Sequence, residues 1–238
     1  MENHPSGRNL TQQLVHTLGE AIVQGKYSDT QSIPSEAELC EEHHVSRSAT
    51  REAVKMLTAK GLILSRPRQG IRIQARENWN IFDPDVLSWL LKSAPSLQML
   101  KEFLQLRIAV EPEAASLAAN NQDAANIEQI NLALERIKTA EEGLGDPLEA
   151  DIDFHLAILN ASCNPFFRQL SSFIATALRV SIRFTNRLKG VKSGNYLSHF
   201  EIYNAIVNGN AEQANLASKE LLNEALELIN SELNKESS

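Results

Sequence analysis

Apolar positions recur every three to four residues along most of the chain, and this period predicts a mainly α-helical protein. In residues 10–24, Leu14, Leu18 and Ile22 follow helical spacing, and the stretch that begins at Gly25 ends this helix. A second helix is predicted to begin at Ser35, because Glu38 stands three residues later, as in a capping box.

Residues 45–57, VSRSATREAVKML, predict a third helix with two distinct sides. Val45, Ala49, Val54 and Leu57 form an apolar side, while Arg47, Arg51 and Lys55 recur at intervals of four. Ser46 is the expected N-cap, and Lys60-Gly61 ends the helix. The cationic side is either an ordinary solvated face or a surface suited to phosphate.

Polar and apolar residues then alternate in LILSRPRQGIRIQ, residues 62–74, around Pro67 and Gly70. This period of two predicts a β-hairpin. Three helices followed by a small hairpin within residues 1–75 predict a winged helix-turn-helix domain.

The remainder of the chain lacks a strand pattern and predicts helices only. Residues 76–96 form a linker with a short helix that begins at Asp83-Pro84-Asp85. Residues 97–238 predict an all-α helical bundle. Its six helices are expected at 97–119 with a break near Pro112, then at 123–142, 147–163, 165–188, 196–208 and 210–233.

The net charge of −7 argues at first against a nucleic-acid partner, but the charge is unevenly distributed. Residues 1–75 carry +1 and residues 76–238 carry −8, and residues 43–75 hold seven cations against one acid, Glu52. Only the face that contacts phosphates needs to be basic. No apolar stretch is long enough to span a bilayer and the N-terminus lacks signal-peptide features, so we expect a cytoplasmic protein without a membrane partner.

Few residues of the helical region offer chemistry. Asp151 and His155 are four apart, so both project from one helix face and could hold one ion; a surface or hydrogen-bonded histidine is the alternative. Arg107 could bind a carboxylate or pair with Glu111 one turn later. The sequence contains neither HExxH, nor a nucleophile elbow, nor a phosphate-binding glycine loop, so we do not expect an enzyme.

Residues 33–73, IPSEAELCEEHHVSRSATREAVKMLTAKGLILSRPRQGIRI, resemble the DNA-binding domain of GntR-family bacterial transcription regulators. The shared pattern is Pro-Ser-Glu, Val-Ser-Arg, Arg-Glu-Ala, Gly-Leu before the wing, and a glycine at the wing tip. The resemblance implies base or phosphate contacts from the third helix, with the wing in the minor groove. Ala37 stands where many relatives have arginine, so one contact of the preceding helix is not expected. The implied DNA-binding set is Ser35, Ser46, Arg47, Ser48, Thr50, Arg51, Arg68, Gln69 and Gly70.

The helical region resembles the effector-binding FCD domain of the FadR subfamily over its full length. Asp151 and His155, followed much later by His199, match the family's metal-binding pattern and imply a divalent ion such as zinc or nickel that ligates the effector. Leu221 stands where the family has a further histidine, so the alternative is a metal-free pocket in which the two histidines bind the effector directly.

By the same resemblance, Arg107 is an inward-facing arginine that binds an anionic effector. Arg179 and Arg183 form a second four-spaced pair, and the sequence does not decide which of them faces the pocket or whether both are solvated. The expected effector-binding set is Arg107, Arg183, His155 and His199.

Residues 79–89 contain WN-x-FD-x-DVL-x-W, which resembles the linker of sugar-acid-responsive family members, notably regulators of galactonate use. The sequence therefore predicts a homodimeric repressor that leaves an inverted-repeat DNA operator when it binds a small acidic effector. A metal-responsive regulator without an organic effector, or a metal-dependent enzyme fused to a DNA-binding module, are the alternatives.

Overall fold

A computed structural model of the protein describes residues 7–27, 33–66, 70–92, 96–189 and 195–236. The chain divides into two compact units, residues 1–94 and residues 95–238. Among the described residues, no helix combines the length and the apolarity that a bilayer crossing would require.

In its described residues, the first unit contains four α-helices and a two-stranded antiparallel hairpin. Ser35 forms the predicted capping box, since its hydroxyl accepts from the Glu38 amide at 3.3 Å and its own amide donates to Glu38 Oε2 at 2.7 Å. The strands pair with Ile63 opposite Ile73 and Arg66 opposite Gly70. In chain order the elements are α1 (Gly7–Val23), α2 (Glu36–Glu42), α3 (Arg47–Ala59), β1 (Ile63–Arg66), β2 (Gly70–Ile73), a 3-10 helix (Arg76–Asn78) and α4 (Pro84–Lys92).

The predicted linker helix, α4, packs against α1 within the first unit. Trp89 is 1 % exposed, and its ring lies where a side chain at Gly19 of α1 would otherwise stand. Lys60, at the end of α3, donates to Asp83 and Asp85 at 2.7–2.8 Å. These contacts join α4 to both α1 and α3.

The second unit consists of α-helices in its described residues, as the sequence predicted. Its elements are α5 (Leu97–Asn121), α6 (Ala124–Glu141), α7 (Pro147–Ala161), α8 (Pro165–Gln169), α9 (Ser171–Lys189), α10 (Tyr196–Val207) and α11 (Ala211–Glu236). Helix α5 packs along α11 and against α7 and α10, while α7 also packs against α6 and α9. Helices α5, α7 and α10 thereby surround one interior region.

Two predicted boundaries in this unit are wrong. Helix α5 continues through Pro112 rather than breaking there. Proline costs about 3 kcal/mol inside a helix, but buried residues before and after it, among them Leu104, Ala114 and Ala115, stabilise both halves by packing. The stretch predicted as one helix from 165 to 188 is divided at Leu170 into α8 and α9.

Candidate functional site

The exposed side of α3 carries the cations that the sequence placed there. Arg47, Ser48, Arg51 and Lys55 are exposed, while Ala53 and Leu57 on the other side are buried. Arg51 Nε lies 3.4 Å from Glu36 Oε2, a surface ion pair that contributes little stability and is easily exchanged for another partner. The helix therefore presents exposed guanidinium groups to solvent.

Ser46 and Ser48 stand at the N-terminus of α3. Ser46 is the N-cap, and its Oγ accepts from the Ala49 amide at 3.2 Å and lies 2.9 Å from Ser48 Oγ. The first amides of a helix, together with its dipole, favour an anion at this end. Both hydroxyls are exposed, so this end of α3 can accept a phosphate.

Thr50 is buried, although it belongs to the expected DNA-binding set. Its side chain is 0 % exposed, and its Oγ1 donates to the Ser46 carbonyl and lies 3.2 Å from Cys40 Sγ of α2. Thr50 follows the same helical spacing as Ala53 and Leu57, so it belongs to the side of α3 that packs against the domain.

The hairpin has one buried and one exposed face. Ile63 and Ile71 are buried, whereas Arg66 and Arg72 lie on the other face around an open cleft of about 120 Å³ beside Gly70. Sequence reasoning missed these two arginines as candidate contacts, although the alternation along each strand places both on the polar face. The expected residues Arg68 and Gln69 lie outside the described residues.

The second candidate site is a buried cluster in the other unit, formed by Asp151 and His155 of α7 and His199 of α10. Their exposed fractions are 5 %, 6 % and 1 %. One donor atom from each residue lies within 4.8 Å of the others. The structure therefore brings together the three residues that the sequence analysis grouped.

The distances within the cluster fit a shared cation. Asp151 Oδ1 lies 3.1 Å from His155 Nε2 and 3.6 Å from His199 Nε2. Ligand bonds of 2.0–2.2 Å separate neighbouring ligand atoms by about 3.0–3.5 Å. His199 Nε2 is buried without a hydrogen-bond partner among the described residues, which is costly unless another group satisfies it.

Neighbouring groups orient both imidazoles so that Nε2 faces Asp151. His199 Nδ1 lies 2.8 Å from the backbone carbonyl of Asn195. His155 Nδ1 lies 2.9 Å from Glu111 Oε2 on α5. Such partners on the second ring nitrogen are typical of metal-binding histidines.

Arg107 forms an ion pair with Glu111, one of the two roles that the sequence left open for it, and Glu111 in turn contacts His155 of the cluster. Its Nε donates to Glu111 Oε1 at 2.6 Å and its Nη2 to Oε2 at 3.1 Å, and both side chains are at most 4 % exposed. Of the five N–H groups of an arginine, three then remain for another anion.

Burial and charge act in opposite directions on the ionisable groups of the cluster. Burial alone would raise the pKa of Glu111, but Arg107 and His155 outweigh it and hold that pKa at about 2. Burial would likewise raise the pKa of Asp151, and the two imidazoles lower it instead. Burial opposes protonation of His155, yet Glu111 and Asp151 raise its pKa. The site therefore favours a positive charge between its carboxylates.

Arg183 does not take the place expected of it in the effector site, and Arg179 takes the solvated position that the sequence left open. Arg183 lies on the exposed side of α9, whereas Ser181 and Thr185 face inward, so the structure does not bring Arg183 to the cluster. Arg179 is also exposed and binds both oxygens of Glu149 at 2.9 and 3.0 Å. Leu221 on α11 adds no donor atom, so Asp151, His155 and His199 remain the candidate donors among the described residues.

Comparison with known protein families decides the family. Residues 10–73 match the model described as bacterial regulatory proteins, gntR family, and residues 102–224 match the FCD domain. The chain belongs to the GntR family of bacterial regulatory proteins. As a GntR-family member with an FCD domain it is a ligand-responsive, DNA-binding transcription regulator, and the expectation that it is not an enzyme is confirmed.

Individual relatives agree with this family. The chain is 36% identical over 167 residues to the uncharacterized HTH-type transcriptional regulator YieP of Escherichia coli K12, covering 69% of this chain and 73% of that protein. It is 37% identical over 171 residues to the galactonate operon transcriptional repressor of the same organism, covering 72% and 75%.

A solved structure supports the fold. A Listeria monocytogenes protein, Lar, described as controlling the expression of the agr system and mediating virulence, superposes with a TM-score of 0.55 at 17% identity, covering 97% of this chain and 99% of that one.

Proposed function

We propose that this regulator is a repressor that is released from its operator by a sugar acid bound at the Asp151, His155 and His199 cluster. The observation that carries the proposal is the buried convergence of these three donors in the effector domain of a DNA-binding regulator. A sugar acid offers a carboxylate and adjacent hydroxyl oxygens, which suit a cation together with a neighbouring arginine. The 37% identity to a galactonate operon repressor supports this ligand class.

The residues present fit a divalent ion such as zinc or nickel. Asp151 Oδ1 and the Nε2 atoms of His155 and His199 would hold it. The Nε2 atom of His199, which lacks a hydrogen bond within the described part of the chain, would gain a ligand bond. When bound, the ion would supply a Lewis acid for the effector's oxygen atoms. Three protein ligands leave coordination positions that an effector can occupy.

Arg107 is the proposed anchor for the effector's carboxylate. Its three N–H groups that Glu111 does not use can donate to an anion in a setting that is largely shielded from water. Arg183 is left out of this site because its side chain is exposed on α9.

On the DNA side, α3 would enter the major groove, with Arg47 and Arg51 at guanine edges or nearby phosphates. Ser46 and Ser48 would bind phosphate at the helix N-terminus, with Ser35 doing the same at α2. Gly70 and the flanking wing residues Arg68 and Gln69 are proposed to reach the minor groove, and the exposed Arg66 and Arg72 would add cationic charge.

Two chains would pair so that two α3 helices reach successive major grooves, roughly 34–36 Å apart, on an inverted repeat. The effector must then bind the released arrangement more tightly than the DNA-bound one. A change from mostly bound to mostly released requires a differential of about 5.5 kcal/mol. The cluster contributes to this differential only if its two helices, α7 and α10, are placed differently in the two arrangements.

Calorimetry of the purified protein against a panel of sugar acids tests the proposal, before and after treatment with a chelator. Metal content is measured on the same samples. Binding of a sugar acid that disappears on chelation and returns with zinc or nickel is the expected result. Binding that survives chelation would overturn the role of the ion, and absence of binding across the panel would overturn the ligand class.

A further inference from the structure

Glu111 lies between Arg107 and the candidate ligands, with a side chain that is 3 % exposed. Both of its carboxylate oxygens are engaged. Oε1 accepts from Arg107 Nε at 2.6 Å, and Oε2 lies 3.1 Å from Arg107 Nη2 and 2.9 Å from His155 Nδ1. The contact to His155 crosses from α5 to α7, so one carboxylate connects two helices of the site.

The contact to Glu111 determines which nitrogen of His155 is available to an ion. A carboxylate accepts hydrogen bonds, so Nδ1 of His155 donates to Glu111 and stays protonated, and Nε2 is the nitrogen that can give up its proton to bind an ion. The other nitrogen, Nε2, faces Asp151 Oδ1 at 3.1 Å, on the side of the three converging donors. The orientation of this imidazole is thus set from the side opposite the ligands.

We propose that Glu111 is a positioning residue of the metal centre, which holds His155 in the orientation and tautomer that direct Nε2 at the ion. Arg107 in turn keeps the carboxylate of Glu111 in place through its two hydrogen bonds. This inference rests on the proposed metal site. It adds a residue that supports a ligand without touching the ion.

The experiment compares the dissociation constants of Zn²⁺ and Co²⁺ for the full chain with and without Glu111→Gln. The amide keeps the size of the side chain, but it cannot accept hydrogen bonds on both of its terminal atoms. We expect binding of both ions to weaken about 10–100-fold, the usual effect of losing such a partner. The visible absorption of bound Co²⁺ reports a changed coordination shell, which a purely structural role would leave unaltered.

Glu149→Gln is the matched control. Glu149 lies on α7, the helix that carries Asp151 and His155, and its carboxylate also binds an arginine through both oxygens, at 2.9 and 3.0 Å. Its partner is Arg179 rather than a ligand histidine. The same chemical change here should leave ion binding unaltered.

Glu111→Gln leaves the buried Arg107 without a charged partner, which can destabilise the domain. A double substitution, Arg107→Met with Glu111→Met, removes both charges and keeps the region apolar. Thermal unfolding in chelator shows that each variant is folded, and the double variant should show the same loss of ion affinity.

The outcomes separate this inference from the proposal on which it rests. A wild-type chain that takes up neither ion would overturn the metal centre and the role of Glu111 with it. A wild-type chain that binds the ions, together with folded Glu111 variants that bind them equally well, would overturn the role of Glu111 alone.

Discussion

At the scale of single residues, Arg51 is the residue proposed to contribute most to recognition of the DNA sequence, because it is exposed in the middle of the cationic face of α3. An arginine bound to a guanine edge discriminates by about 1–3 kcal/mol, or roughly 5–150-fold in affinity. Arg51→Ala should therefore weaken operator binding by that factor and affect a scrambled duplex much less. Fluorescence anisotropy with both duplexes measures the difference.

Arg168→Ala supplies the control for this measurement, since it removes an exposed arginine from the second unit. It should leave discrimination between the two duplexes intact. If Arg51→Ala also preserves this discrimination, α3 does not read the DNA sequence through Arg51, and the assignment of base contacts to this residue is wrong.

Replacement of Gly19 by alanine is predicted to destabilise the first unit, whereas helix propensity alone would predict stabilisation. Alanine is favoured over glycine inside a helix by about 1 kcal/mol, but a Cβ at Gly19 would overlap the buried ring of Trp89. Gly19→Ala should therefore lower the free energy of unfolding by about 1–2 kcal/mol, since overpacking usually costs more than this gain in propensity.

Tryptophan fluorescence during urea unfolding measures the effect of Gly19→Ala, because both tryptophans, Trp79 and Trp89, lie in the first unit. Thr17→Ala, at an exposed position of the same helix, should change stability by less than about 0.5 kcal/mol. Equal or greater stability of Gly19→Ala would contradict the packing of α4 on α1.

At the scale of elements, Lys60 connects the end of α3 to the start of α4. Its side chain is 10 % exposed, and its ammonium group donates to Asp83 and Asp85 and lies 5.8 Å from the Trp89 ring. Lys60→Met should destabilise the first unit by about 2–3 kcal/mol, because it leaves two carboxylates without their cation.

The same tryptophan signal in urea unfolding tests Lys60→Met. Lys55→Met removes a lysine whose side chain is 75 % exposed on the same helix, and it should have little effect on stability. If the two variants unfold at the same urea concentration, the ion pairs of Lys60 do not fasten α4 to α3.

Elements with strong local signals could be predicted from the sequence. Ser35 with Glu38, and Ser46 before the four-residue repeat of cations, define the starts of α2 and α3 through contacts within one turn. Pro112 misled the prediction because its local cost is outweighed by packing that involves other helices. The division between α8 and α9 at Leu170 could not be predicted, because neither glycine nor proline stands at this position.

In the candidate sites, too, residues related by local spacing could be predicted, whereas contacts between distant helices could not. Asp151 and His155 share a helix face by spacing alone, whereas His199 joined them only through the family resemblance. The contact between Glu111 and His155 joins α5 to α7 and depends on tertiary packing that no local pattern encodes. Thr50, in contrast, was assigned to the DNA-binding set although its helical spacing with Ala53 and Leu57 placed it on the buried side.

At the scale of the whole molecule, the proposal assigns DNA reading to one unit and ligand binding to the other. The DNA-reading face belongs to residues 1–94 and the buried cluster to residues 95–238. Substitutions in one unit should then alter one activity and spare the other. His199→Ala should keep operator affinity and lose the response to ligand, because it removes one of three donors.

The most direct test measures release of an operator fragment, selected by the wild-type protein from randomised duplexes, during titration with the sugar acid that calorimetry identifies. Leu197→Ala is the control, because Leu197 is exposed on α10, the helix that carries His199. Wild type and Leu197→Ala should release the DNA at the same ligand concentration. His199→Ala should bind the operator as tightly as wild type and remain bound throughout the titration. Release of His199→Ala at the wild-type ligand concentration would contradict the assignment of the cluster as the effector site.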